Sequence, residues 1–228
     1  MSEGTVVIAI DGPAGAGKST VAKALASRLG YTYVDTGAIY RSVALLARRA
    51  KLSPEDEPAL VELASKAEVF FKGPADGQAV ILNGEDVTEE IRTPAISQLA
   101  SKISALPRVR AELLDLQRRA AVSPGAVLEG RDIGTVVFPD AKAKFFLTAD
   151  SKERARRRYK QLTEKGEQVT LEQVLKEQEI RDKRDTNRQS APLKKAEDAE
   201  EVDTSKMGVQ DVVKYLLGRL SEKKVDAG

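Results

Sequence analysis

The sequence predicts an α/β protein built around a central parallel sheet. Apolar, strand-like runs alternate with segments of helical period, the first strand runs straight into a glycine-rich turn, and 228 residues suffice for one to two domains with a real core. Residues 6–10 (VVIAI) form a continuous β-rich apolar run, the pattern of a strand buried on both faces. After the glycine turn, Val21, Ala22, Leu25, Ala26 and Leu29 recur at helical spacing up to Gly30, a natural stop. A second strand over 31–35 and a second helix over 38–50 complete a βαβα opening.

The middle of the chain reads differently. Runs at 68–72 and 79–83 flank Gly73-Pro-Ala-Asp-Gly77, which predicts a hairpin with a five-residue loop. Antiparallel material sits badly within a parallel sheet, so residues 63–100 are expected to form an inserted subdomain. The α/β pattern resumes with a helix over 109–121 and strands over 126–129 and 144–147. Helices are expected over 151–165, 171–187 and 209–220, the last with Val209, Val212, Val213, Leu216 and Leu220 as an apolar stripe. A late strand over 199–203 is unusually acidic.

Composition removes several chemistries. The chain has no Cys and no His, so disulfides, thiolate nucleophiles, imidazole bases and His-ligated metals are excluded. Lys and Arg total 37 against 35 Asp and Glu, a balance that gives no reason to expect nucleic acid as a partner. Residues 1–5 lack a basic leader region, and the apolar run at 6–10 is too short to span a membrane, so a soluble cytoplasmic protein is expected.

Three polar turns carry the chemistry. Gly12-Pro-Ala-Gly-Ala-Gly-Lys-Ser-Thr20 satisfies G-x-x-x-x-G-K-[ST] between a strand and a helix. Its glycines let backbone N–H groups turn inward around phosphate oxygens; Lys18 should reach the β and γ phosphates, and Ser19 should place its hydroxyl on Mg²⁺. Asp35-Thr-Gly-Ala-Ile-Tyr-Arg41 follows the second strand, where ligands of open α/β sheets bind, although Asp35 or Thr36 capping a helix and Arg41 facing solvent would explain it equally. Glu129-Gly-Arg-Asp-Ile-Gly134 follows a third strand. Its carboxylates suit Mg²⁺-bound water and its Arg suits phosphate, and a plain polar turn remains open.

Two basic runs follow, with six basic residues and one acid at 152–160 and six basic residues and two acids at 181–195. They read as a solvated helix face, a nucleic-acid patch, or arginines of a mobile lid that closes over a transferring phosphoryl group. The acidic segment 197–203 offsets them and explains the small net charge.

Taken together, residues 10–20, 35–41, Leu82-Asn-Gly-Glu-Asp-Val87, Ile91-Arg-Thr-Pro94, 129–140 and Arg181-Asp-Lys-Arg-Asp185 resemble the bacterial cytidylate kinase family, and the match runs from the first strand to about Pro192. The resemblance implies a P-loop three-layer sandwich with an inserted small antiparallel β/α substrate-binding subdomain and a helical lid. In that division, 1–62, 101–150 and 166–228 form the core, 63–100 the nucleoside-monophosphate subdomain and 151–165 the lid. It implies transfer of the γ-phosphoryl group from ATP, with Mg²⁺, to CMP and dCMP by a cytoplasmic monomer in pyrimidine nucleotide metabolism, with no nucleic-acid or membrane partner.

Residue by residue, it assigns Gly12, Pro13, Ala14, Gly15, Ala16, Gly17, Lys18, Ser19 and Thr20 to ATP. Thr36, Arg41, Arg131 and Arg188 fall to the monophosphate, Ser101, Arg110 and Asp132 to cytosine, Arg181 and Asp185 to the ribose side, and Arg154, Arg157 and Arg158 to the lid. Lys18, Arg131, Arg157 and Arg188 are expected to be catalytic. Thr36 stands where many relatives carry Ser, and Glu129 where Asp is also common. Rival readings are a P-loop kinase for UMP, AMP or a non-nucleotide alcohol, and a nucleic-acid-dependent P-loop ATPase.

Overall fold

The computed structural model describes residues 5–225, so residues 1–4, which carry most of the argument against a leader, lie outside it. Strand β1 (Val6–Asp11) is buried from Val7 onward and feeds the glycine turn. Helix α1 (Lys18–Leu29) ends where Gly30 turns left-handed at φ 68° and returns its N–H to the Ala26 carbonyl. After β2 (Thr32–Asp35) the chain turns at once into α2 (Thr36–Arg49), two residues earlier than the sequence predicts, because the Asp35 carboxylate caps it through the Ala38 N–H. Next come α3 (Glu57–Ser65), the antiparallel strands β3 (Val69–Lys72), β4 (Ala79–Leu82) and β5 (Glu85–Asp86), a 3₁₀ turn, and α4 (Pro94–Ile103). Helix α5 (Pro107–Arg119) leads to β6 (Gly125–Gly130), a π turn over Ile133–Val137, and β7 (Ala143–Thr148). Helices α6 (Ser151–Glu164) and α7 (Leu171–Asn187) precede β8 (Glu200–Asp203) and α8 (Val209–Glu222).

Five strands pair in parallel in the order β2-β6-β1-β7-β8. The chain moves from β1 outward to β2, returns to β6, and then crosses to β7 on the other side of β1. That reversal puts the carboxyl end of β1 at a topological switch point, where such sheets bind ligands. Register does the rest: Asp35 pairs with Glu129, and Asp11 with Gly130, so the three sequence-predicted turns leave the sheet side by side.

Helices cover both faces. Ile8, Ile10 and Phe145 pack with Val21 and Leu25 of α1 and Val212 and Leu216 of α8. On the other face Val7, Ala9 and Leu128 meet Ile133, Val137 and Phe138. Each such fully buried side chain stabilises the fold by roughly 1.5–3 kcal/mol. The hairpin is welded to α2–α5 through Val69, Val80 and Leu82, which share a core with Ile39, Val43, Leu60 and Ile96. Its tip, one residue longer than expected, also touches the sheet edge, where Gln78 Nε2 donates to the Tyr33 carbonyl at 3.0 Å.

The acidic segment does form a strand: β8 pairs with β7 at the sheet edge, and Glu200 accepts from Arg219 Nε at 2.8 Å. Edge position and that ion pair make charge tolerable there. The sequence reading overlooked α3 and α4, each of which carries its own start signal. Asp56 caps α3 with a proline in its first turn, and Thr93 caps α4 ahead of Pro94. Among the described residues no helix is long and apolar enough to cross a membrane.

Gly125 begins β6 against the Tyr31 ring, and a Cβ there would fall 2.5 Å from a ring carbon. Gly125→Ala is expected to cost about 1–3 kcal/mol through overpacking. Urea denaturation checks this, and an unchanged midpoint at unchanged slope would contradict it.

Candidate active site

The glycine loop between β1 and α1 is held from three sides. Gly12 has φ 146°, and a Cβ on it would lie 2.0 Å from the Leu147 carbonyl oxygen, so only glycine lets the backbone cross the end of β7. Behind the loop, Arg154 donates to the Ala14 carbonyl at 2.9 Å, to Asp182 at 2.6 Å and to the Ala149 carbonyl at 3.0 Å. Below it, the Thr204 hydroxyl lies 3.1 Å from the Ala16 carbonyl, and it accepts from Arg157 Nη1 at 3.1 Å. These bonds hold the loop by its carbonyls.

Lys18 is buried at the first turn of α1, with Nζ 2.8 Å from the Pro13 carbonyl. Burial, and then the charge of Arg131, pull its ammonium from the usual 10.5 down to about 7. Asp11 shows the opposite shift: burial raises its carboxyl to about 6, although it accepts the Ile133 and Gly134 N–H groups at 2.8 Å each. Those two bonds fix the π turn after β6 and hence the direction in which Arg131 and Asp132 leave the strand.

Beside Lys18 lies a corner of hydroxyls and carboxylates. The Glu129 carboxylate accepts from the Tyr33 phenol at 2.5 Å and shares the cleft wall with Ser19; burial and the charge of Asp35 raise its pKa. The Thr36 hydroxyl donates to the Glu129 main-chain carbonyl at 2.7 Å, and Arg41 pairs with Asp35 at 2.6 Å. Asp35 therefore does both jobs left open by the sequence, capping a helix and holding an arginine at the site. Among the described residues no cluster of three or more acidic side chains makes a cage for a metal. Ser19 and Glu129 alone offer one hydroxyl and one carboxylate, a donor set that fits Mg²⁺ completed by phosphate oxygens and water.

Between the end of β6 and the π turn, neighbouring residues point to different partners. Arg131 Nε bonds Asp185 at 3.0 Å, whereas Asp132 is gripped by Arg110 and, at 3.3 Å, by Arg188. Arg110 also lies 5.3 Å from the centre of the Tyr40 ring. Ser101 of α4 accepts from Arg184 of α7 at 2.8 Å, an arginine that sequence reasoning passed over. Asp185 stays ionised: despite its burial, Arg131 and Arg181 hold its pKa below the usual carboxylate range. Arg181, crowded by burial and Arg131, falls to about 10.

Both regions open into one cleft of about 770 Å³. Its walls carry nine Lys and Arg against six Asp and Glu, an excess hidden by the whole-chain balance. Of the sequence-predicted residues, Gly12, Pro13 and Arg154 do not line it. Gly12 lies at the strand end and Arg154 braces the loop from behind, whereas Arg157 and Arg158 reach the cleft wall. Asp11, Tyr33, Tyr40, Arg184 and Thr204 were missed, because their roles come from contacts distant in sequence. An arrangement of buried cations, loop N–H groups and a hydroxyl–carboxylate corner can bind two phosphorylated ligands end to end and spread the charge of a phosphoryl group passing between them.

The model of the cytidylate kinase family matches residues 8–222. A cytidylate kinase of Carboxydothermus hydrogenoformans is 50% identical over 95% of this chain and 97% of its own length. One from Caldanaerobacter subterraneus subsp. tengcongensis is 53% identical over 92% of each chain. A solved protein of Eubacterium ventriosum has the same fold at 14% identity and a TM-score of 0.50, covering 95% of this chain and 99% of that one.

A lysine whose pKa is depressed to about 7 in the free fold and restored by an anion must take up a proton on binding at a pH between the two values. Calorimetry of tripolyphosphate binding in buffers of different ionisation enthalpy should show Lys18-dependent proton uptake near pH 8 and little at pH 6, lost in Lys18→Met. Equal uptake in that variant would contradict the assignment.

Proposed function

Because the chain belongs to the cytidylate kinase family, we propose that its cleft transfers the γ-phosphoryl group of ATP to CMP and dCMP, giving CDP or dCDP and ADP. In this reading the glycine loop, Lys18 and Ser19 hold the ATP phosphates, and Arg41 and Arg131 receive the monophosphate with Thr36. Arg110, Asp132 and Ser101 meet cytosine. Arg181 and Asp185 face the ribose, and Arg157 and Arg158 come from the lid. Arg188 stands between base and phosphate. The chain divides into a core (1–62, 101–150, 166–228), an acceptor-binding insert (63–100) and a lid (151–165), working as a cytoplasmic monomer in pyrimidine nucleotide metabolism.

The observation that carries the reading is the buried Asp132 held between Arg110 and Arg188 in the same cleft as Lys18. Cytosine offers acceptors at O2 and N3 that suit an arginine and an N4 amine that suits a carboxylate. Uracil reverses the polarity at N3 and at position 4, so UMP would leave buried charged groups unpaired, and such mismatches discriminate strongly.

The chemistry needs no imidazole. The acceptor phosphate has a second pKa near 6 and is mostly a dianion at neutral pH, so one of its oxygens attacks the γ phosphorus directly. A new P–O bond forms, the bond to the bridging oxygen breaks, and its electron pair leaves on ADP. Lys18 and the arginines hold the two phosphates in line and take up the spreading charge. Ser19 and Glu129 would hold Mg²⁺, which when bound neutralises phosphate oxygens.

An assay of ADP release over CMP, dCMP, UMP, AMP and shikimate tests the proposal. CMP and dCMP are expected to exceed the others in kcat/KM by at least about 100-fold; a preference for any other acceptor would overturn it.

A further inference from the structure

A glutamate carboxylate swings on several side-chain torsions, so Glu129 needs a restraint if its carboxylate is to keep one orientation beside Ser19 at the cleft wall. The restraint is visible. The Tyr33 phenol, buried on the edge strand β2, donates to Glu129 Oε1 at 2.5 Å. Tyr33 is itself fixed on two other sides, since Gln78 of the hairpin tip donates to its carbonyl at 3.0 Å and Lys23 Nζ lies 5.5 Å from its ring centre. Register supports the same arrangement: Tyr33 pairs with Val127 two residues before Glu129, on the next strand. The phenol thus reaches along β6 to the carboxylate, which lines the cleft together with Ser19.

From this geometry we infer that Tyr33 is a positioning residue of the phosphate corner, which holds the Glu129 carboxylate toward Ser19 and so sets the affinity of the nucleotide for its divalent cation at this site. The inference rests on the proposed ATP-dependent reading for the ligand at the glycine loop, but not on the identity of the acceptor. Tyr33 touches no reacting atom; it acts only through Glu129. Replacing Glu129 by Asp should withdraw the carboxylate from the phenol and make the hydroxyl irrelevant.

The test is calorimetry of ADP binding to the full-length protein with and without Mg²⁺, on wild type, Tyr33→Phe, Glu129→Asp and the double variant, together with CMP binding and melting temperature. Tyr33→Phe removes only the hydroxyl and should lower the Mg²⁺-dependent gain in ADP affinity by about 10-fold, with Mg²⁺-free ADP and CMP affinities within about 2-fold of wild type, as expected for loss of a group that orients a metal-ligating carboxylate. In the Glu129→Asp background the same change should have no further effect on the gain. An undiminished gain in Tyr33→Phe, additive losses in the double variant, a uniform fall in all three affinities, or no Mg²⁺-dependent gain in the wild type would each overturn the inference. Failure of the wild type to bind or phosphorylate CMP would instead overturn the proposed acceptor and leave this comparison intact.

Discussion

The cleft depends on keeping more positive than negative charge out of water at the carboxyl edge of one parallel sheet. Isolated buried cations are costly, and a fold tolerates them by pairing them, neutralising them or reserving them for a ligand. All three occur here. Arg110 and Arg188 share Asp132, and Arg131 takes Asp185. Lys18, whose one hydrogen bond among the described residues goes to the Pro13 carbonyl, loses proton affinity through burial. Arg158 lines the cleft with no ion pair among the described residues, and burial lowers its pKa. The unpaired remainder is what a pair of phosphate chains would complete.

Rigidity is what makes that charge usable. The switch point of the sheet brings three strand ends together. At each, a carboxylate of the strand end holds local geometry: buried Asp11 holds the π turn, half-buried Asp35 caps α2, and buried Glu129 takes the Tyr33 phenol. Preorganised dipoles and charges need no rearrangement when charge develops, which is the main source of catalytic advantage in phosphoryl transfer. Arg154 and Thr204 extend the same logic behind the glycine loop, tying α6, α7 and the end of β8 to its carbonyls.

Much of this was legible in the sequence, for physical reasons that differ by residue. The glycine loop is a local structure, so nine consecutive residues declare it. The strand-end turns at Asp35 and Glu129 follow from the sheet topology alone. The pairing of Arg131 with Asp185 but of Asp132 with Arg110 and Arg188 was hidden, because adjacent residues leave the end of β6 in different directions toward partners far along the chain. Arg154 reads as one lid arginine among several until its partners are seen. Helices α3 and α4 did carry capping signals at Asp56 and Thr93, which a stricter search for a cap followed by proline would have found. Strand β8 was obscured by acids that an edge position and Arg219 make tolerable.

In the proposed reaction one preorganised cleft holds two phosphorylated nucleosides end to end and reads cytosine at one of them. The most direct measurement is the affinity of a single molecule that joins adenosine to cytidine through five phosphates, compared with ATP, CMP and the uridine counterpart. If both ends lie in one cleft, linkage should make the cytidine compound bind at least about 100-fold more tightly than either nucleotide alone, with most of that gain lost on changing cytidine to uridine. Affinity no better than that of ATP, and indifferent to the base, would contradict the account.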